Sequence, residues 1–163
     1  MKIVCIGQNY TEHIKELNNA LPGETVIFMK PDSALLLNNT PFFLPEFSQE
    51  IHHEVELVVR INRIGKHIDE KFARRYYSEI TAGIDFTARD LQRTLRKEGK
   101  PWELCKGFDS SAVVGEFINV RNLGTPDAIP FHLDLNGSTI QQGNSADMLF
   151  SIDKIISFVS RFI

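Results

Sequence analysis

His53-Glu54-Val55-Glu56-Leu57-Val58-Val59 is the stretch on which the reading of this chain turns. Strand side chains alternate between faces. As a strand, it therefore sets Glu54 and Glu56 on one face and Val55, Leu57 and Val59 on the other, against a core. The two glutamates then have Cα atoms roughly 6.6 Å apart. With an effective dielectric of about 20, their carboxylates repel by about 2.5 kcal/mol before any desolvation. Asp85 raises the same difficulty within Ile80-Thr81-Ala82-Gly83-Ile84-Asp85-Phe86, an otherwise chargeless run that also reads as a strand. A buried carboxylate needs a partner, and few Lys or Arg lie near these acids in sequence. One divalent cation would neutralise all three acids. The alternative is an acidic strand face turned to solvent.

The rest of the composition is that of an ordinary globular chain. It has 163 residues, 42% hydrophobic and 24% charged, enough for one domain with a real core. A net charge of −3 argues against a nucleic-acid footprint, which needs a clustered basic excess. The basic run Arg89, Arg93, Arg96, Lys97, Lys100 is interleaved with Asp90 and Glu98 and reads as a solvated helix face. The two cysteines, Cys5 and Cys105, form no zinc spacing and point to reduced thiols and a cytoplasmic protein. No apolar run reaches the length of a membrane span, and Lys2-Ile3-Val4-Cys5-Ile6 is too short for a signal-peptide core.

Working outward, the pattern predicts strands at 2–6, 26–29, 51–61, 81–86, 112–120 and 131–135. A hairpin is predicted around Asn38-Asn39 between Leu35–Leu37 and Pro41–Leu44, and another around Asn136-Gly137. Helices are predicted at 9–21, capped by Asn9, and at 68–77. A third is capped by Thr87 and closed by Gly99 and Pro101, and a fourth starts at Ser151 and carries an apolar face to Ile163. Strands and helices alternate too irregularly for a doubly wound sheet, so the expected class is mixed α/β and rich in β-structure.

Other residues also carry possible chemistry. His13 and Glu16 stand three apart on the first helix, so the acid can orient the imidazole as a general base; a plain surface pair is the alternative. Lys106 and Lys30 follow apolar stretches and read either as anion-binding groups or as surface lysines. Arg89 and Gln92 lie one turn beyond Asp85. His52, His53, His67 and His132 have no zinc-ligand spacing, and no phosphate loop or nucleophile elbow is present.

Several of these segments together resemble the fumarylacetoacetate hydrolase family. Gly7-Gln8-Asn9-Tyr10-Thr11-Glu12-His13-Ile14-Lys15-Glu16 is similar to its G-x-N-Y-x-x-H-x-x-E segment, and Phe28-Met29-Lys30-Pro31 to its F-x-K-P. His53-Glu54-Val55-Glu56-Leu57 is similar to its E-x-E-L strand, Asp85 to Gln92 to its D-x-T-A-R-D-x-Q, and Lys106-Gly107-Phe108-Asp109 to its K-x-F-D. The branch most resembled is that of the small acylpyruvate hydrolases and oxaloacetate decarboxylases.

The resemblance implies a single catalytic domain over 1–163, a mixed β-sandwich roll with peripheral helices, in which helix 9–21 acts as a lid. It implies that Glu54, Glu56 and Asp85 bind Mg²⁺ or Mn²⁺ and that the substrate is a short 2-oxo acid. His13 with Glu16 would activate water, Lys106 would stabilise developing negative charge, and Arg89, Gln92 and Lys30 would hold the substrate. The implied reaction is cleavage of a C–C bond through a metal-chelated enolate, by acylpyruvate hydrolysis or oxaloacetate decarboxylation. An isomerase or tautomerase of related enols is the alternative, and a non-catalytic homologue a third. A homodimer is implied, with neither nucleic acid nor membrane as partner. Family members continue past a final helix into further strands and a Thr-Gly-Thr-Pro loop, so those C-terminal strands are expected to be lacking here. Asp32 stands where a small polar residue is usual, which bears on substrate preference.

Overall fold

The computed structural model describes residues 1–10, 22–37, 39–124 and 128–163. Its architecture is mixed α/β and sheet-rich, as expected. Strand β1 (Ile3–Gly7) pairs with β2 (Val26–Lys30). Strand β3 (Ile51–Ile61) pairs with the long β4 (Tyr77–Ala88), which also pairs antiparallel with β5 (Ala112–Val114) and β6 (Ile118–Asn119). Strands β7 (Pro130–Leu135) and β8 (Ser138–Asn144) form a hairpin. Its turn is the predicted Asn136-Gly137, both at positive φ (52° and 81°), the conformation that matches strand twist. The helices are α1 (Arg89–Lys97), the one-turn α2 (Glu103–Lys106) and α3 (Ile152–Val159). Among the described residues, no helix is long and apolar enough to cross a membrane.

The chain divides into two compact units. The first comprises Met1–Cys5, Ile27–Glu56 and Ala82–Gly115, and the second Ile6–Val26, Leu57–Thr81 and Glu116–Ile163. In the first, Ala88, Leu95 and Cys105 are buried, with Ile51, Leu91, Trp102 and Phe108 packed on them. In the second, Ala73, Tyr77 and Ile156 are buried beneath Val59, Ile68, Tyr76, Val120 and Ile152.

Several local expectations are corrected. Among the described residues, Leu35–Leu37 and Pro41–Leu44 are not paired as strands: Leu35 makes an isolated bridge to Ala112, and Phe42 stacks on Phe86 at 3.9 Å. Pro41 and Pro45 have no N–H to donate to a ladder. The predicted helix over 68–77 is a 3-10 run, Glu70–Tyr76, after which Tyr77 already opens β4. Phe72 within it is 40% exposed. The strand predicted over 112–120 is two strands interrupted at Gly115, and α3 stops at Val159, though Ser151 does cap it through Lys154 N.

Thr87 does not cap α1; Ala88 occupies that position, without a side-chain bond. The far end is as expected. Gly99, at φ 65°, lets Lys100 N reach Leu95 O and Gly99 N reach Arg96 O, satisfying the last carbonyls. Helix 9–21 lies almost wholly outside the described residues. The side chain of Asn9 bonds to the main chain of Phe150. Its Nδ2 donates to Phe150 O (3.0 Å) and its Oδ1 accepts from Phe150 N (2.9 Å), both buried within the second unit. Asn9→Ala leaves two buried main-chain groups unsatisfied, so we expect a loss of about 2–3 kcal/mol in a urea titration. A loss below about 0.5 kcal/mol, the scale of a surface substitution, would show that water replaces the amide.

Candidate active site

Alternation on β3 and β4 builds the centre of the first unit. Glu54 and Glu56 are two apart on β3; Asp85 and Thr87 are two apart on β4. Helix α1 then brings in Arg89 and Gln92, α2 ends on Lys106, and β2 ends on Lys30. All of these are buried or half-buried, and Lys30 and Lys106 are each only 2% exposed.

Cations from distant parts of the sequence surround two of the three acids. Lys106 Nζ donates to Glu54 Oε2 (2.9 Å), Asp85 Oδ2 (2.7 Å) and Thr87 Oγ1 (2.6 Å), which uses all three of its N–H groups. Arg89 donates to Glu54 Oε1 and to Gln92 Oε1, and its Nε to His52 Nδ1 at 3.3 Å. Lys30 Nζ lies 2.8 Å from Asp85 Oδ1. The sequence offered few cations near these acids; the fold supplies three.

Glu56 differs. Among the described residues, no cation or hydrogen-bond donor is paired with its carboxylate. Burial, with Glu54 and Asp85 nearby, pushes its pKa up to about 8. Burial acts on Glu54 in the same direction, but the charges of Lys106 and Arg89 override it and bring that carboxyl down to about 2. Burial alone would depress Lys106; Asp85 and Glu54 overturn this and hold its ammonium above the ordinary lysine value. Lys30 is lowered by its burial, against the pull of Asp85. Cys5, half-buried, is raised to about 12 by burial and by Asp85 and is no thiolate at neutral pH.

Among the described residues, no three His, Cys, Asp or Glu side chains are already gathered for a metal, because the Lys106 ammonium joins Glu54 and Asp85. The donors nevertheless suit a hard divalent cation: all are carboxyl oxygens, and Glu56 has no hydrogen-bond or ion-pair partner among the described residues, its pKa raised because ionisation there is costly without a cation. Seven of the nine predicted site residues thus fall in one unit: Glu54, Glu56, Asp85, Arg89, Gln92, Lys106 and Lys30. His13 and Glu16 lie outside the described residues. Asp32 is exposed, with its carboxylate 3.7 Å from the amino group of Met1. Sequence reasoning missed Thr87 and Ser111, both fully buried and both bonded to Lys106.

The chain is similar to known proteins over nearly its whole length. A family model described as Fumarylacetoacetate (FAA) hydrolase C-terminal matches residues 2–163. The chain is 39% identical to the oxaloacetate tautomerase FAHD1, mitochondrial, of Rattus norvegicus, over 99% of this chain and 73% of that one. It is 38% identical to the oxaloacetate tautomerase YcgM of Escherichia coli (strain K12), over 99% of this chain and 74% of that one. The crystal structure of fumarylpyruvate hydrolase from Pseudomonas aeruginosa, in complex with Mn²⁺ and pyruvate, superposes with a TM-score of 0.93 at 29% identity. It covers 100% of this chain and 72% of that one.

Proposed function

The chain belongs to the fumarylacetoacetate hydrolase family of enzymes, and from that premise we propose that it interconverts the enol and keto forms of a short 2-oxo dicarboxylic acid of the oxaloacetate type. The observation that carries this reading is the buried Lys106 ammonium, fixed by two carboxylates and a hydroxyl near Glu56, whose pKa burial raises. The names of the two relatives at 38–39% identity support the substrate class. A divalent cation, Mg²⁺ or Mn²⁺, held by Glu54, Glu56 and Asp85 supplies Lewis-acid polarisation of the 2-oxo group when bound.

The protein's own groups do the rest. Lys106 stays charged and acts as a fixed positive charge toward an oxygen that gains negative charge, without having to accept a proton. Arg89 has five N–H donors, three of them committed to Glu54, Gln92 and His52, so two remain for a substrate carboxylate. Gln92 holds the guanidinium plane in place. The working unit we propose is residues 1–163 as a catalytic domain, acting as a cytoplasmic homodimer.

A second reading, C–C cleavage by acylpyruvate hydrolysis or decarboxylation, is favoured by the likeness to a hydrolase crystallised with Mn²⁺ and pyruvate. It needs the same enolate stabilisation, and hydrolysis also needs water activated by His13 with Glu16. The wild-type protein with Mn²⁺ is therefore assayed on enol-oxaloacetate and on an acylpyruvate, beside His13→Ala. We expect the substitution to lower any hydrolysis by about 100-fold or more and to leave ketonisation little changed. Failure of the Mn²⁺-loaded wild type to accelerate ketonisation would sink the first reading.

A further inference from the structure

We propose that Lys30 and Ser111 form a buried lock on the main chain at Lys106, acting as positioning residues for its ammonium rather than as substrate ligands. This rests on the reading of Lys106 given above. Lys30 was expected to meet substrate, yet its Nζ has no donor to spare. Within reach are Asp85 Oδ1 (2.8 Å), Ser111 Oγ (2.9 Å), Ser111 O (3.0 Å), Phe86 O (3.3 Å) and the carbonyl of Lys106. Five protein oxygens exceed the three N–H groups of an ammonium.

Ser111 completes the lock. Its hydroxyl accepts from Lys30 and donates to Lys106 O at 2.9 Å, and the residue is fully buried. Its carbonyl accepts from Phe86 N at 2.9 Å, which ties it to β4 directly beside Asp85. The preceding Ser110 has φ 62°, a left-handed conformation that serine adopts only under constraint, and this turn folds Ser111 back toward α2.

The consequence falls on Lys106. It ends the one-turn helix α2, where the last carbonyls have no partner inside the helix. Lys30 and Ser111 supply two donors to that carbonyl. The main-chain end of the Lys106 side chain is thereby pinned, while Glu54, Asp85 and Thr87 pin its ammonium. A flexible four-carbon side chain held at both ends has little freedom to wander from the position where charge develops.

Lys30 also neutralises Asp85, so Ser111 gives the cleaner test. In the full chain, Ser111→Ala is expected to lower kcat for ketonisation by about 10–100-fold, with KM and the Mn²⁺ dissociation constant little changed. Ser111→Cys, which keeps a weak donor and acceptor of similar shape, recovers part of that loss, and it carries the comparison if the alanine variant does not fold. In a Lys106→Met background the same serine substitution is expected to have no further effect on kcat. Independently of activity, the ¹H–¹⁵N signals of the lysine ammonium groups are recorded on the metal-free protein. Those of Lys30 and Lys106 are expected to shift in the Ser111 variant and not in Ser138→Ala, an exposed control on β8. An undiminished serine effect in the Lys106→Met background, or an unmoved Lys106 ammonium signal, overturns the lock. A wild type inactive on 2-oxo acids overturns the proposed function instead and leaves the ammonium signals to judge the lock.

Discussion

Glu54→Gln is expected to abolish Mn²⁺ binding and destabilise the metal-free protein, whereas Glu56→Gln is expected to abolish binding and stabilise it. Both substitutions keep size and remove one carboxylate from the proposed ligand set, so each should weaken Mn²⁺ by about 100-fold or more. Their effects on the fold part company because their neighbours differ. Glu54 lies between Lys106 and Arg89, and removing its charge takes the carboxylate from Arg89 and leaves Lys106 only Asp85, at a cost of about 3–5 kcal/mol. Its folded pKa of about 2 lies below the unfolded value near 4.5. The stability it contributes is therefore full above about pH 4.5 and lost as pH falls toward 2. Glu56 has the opposite sign. Its folded pKa of about 8 lies above the unfolded 4.5, so between these limits the folded chain holds a proton that the unfolded chain has released. Stability then falls as pH rises through that window, and the deficit is complete above about pH 8. Melting curves of both variants in EDTA at pH 5, 6, 7 and 8 decide the matter. The advantage of Glu56→Gln over wild type should grow along that series, while the deficit of Glu54→Gln stays. If Glu56→Gln is as destabilising as Glu54→Gln across the series, Glu56 has a partner in solution and the case for a metal there fails.

That contrast was not legible in the sequence, although the acids themselves were. Alternation in His53–Val59 and in Ile80–Phe86 was enough to set Glu54 with Glu56 and to isolate Asp85 in an apolar run, and β3 and β4 bear this out. The neutralising cations were out of reach because spacing along a strand reports only local geometry. Lys106 is 52 residues from Glu54, and Arg89 is 35. Only the motif resemblance gathered them, and a motif names residue types without saying what each touches. Lys30 shows the difference: the resemblance made it a substrate ligand, and burial at 2% exposure commits it to protein oxygens. Thr87 was misread for a simpler reason. Its hydroxyl and the acid at Asp90 looked like a helix start, but β4 runs on to Ala88, and Asp90 accepts instead from Ser48 Oγ and Gln49 N. A strand carried two residues further would have set Thr87 beside Asp85. The turn at Ser110 had no signal at all, since neither Gly nor Asn marks its left-handed φ.

Lys106→Met is expected to lower ketonisation by about 100–1000-fold while leaving Mn²⁺ affinity undiminished or improved. The two halves of this expectation follow from one geometry. The ammonium is the only fixed cation bonded to both Glu54 and Asp85 among the described residues, so its loss removes the positive charge nearest the point where an enolate oxygen would gain charge. The same ammonium competes for the carboxylate oxygens that would ligate a divalent ion, and like charges near one another repel. Methionine approximates the alkyl part of the side chain and carries no charge, so the competition ends, and with it the contact of the ammonium with the Phe28 ring at 5.0 Å. Glu54 and Asp85 each lose a partner, and the metal-free variant should melt lower than wild type, with Mn²⁺ restoring most of the difference. Isothermal titration with Mn²⁺ and a ketonisation assay on the same sample separate the two effects. Retained kcat would remove Lys106 from the chemistry. A large loss of Mn²⁺ affinity would mean that the lysine organises the carboxylates for the metal instead of competing with it, and the charge accounting proposed for this cluster would then be wrong in sign.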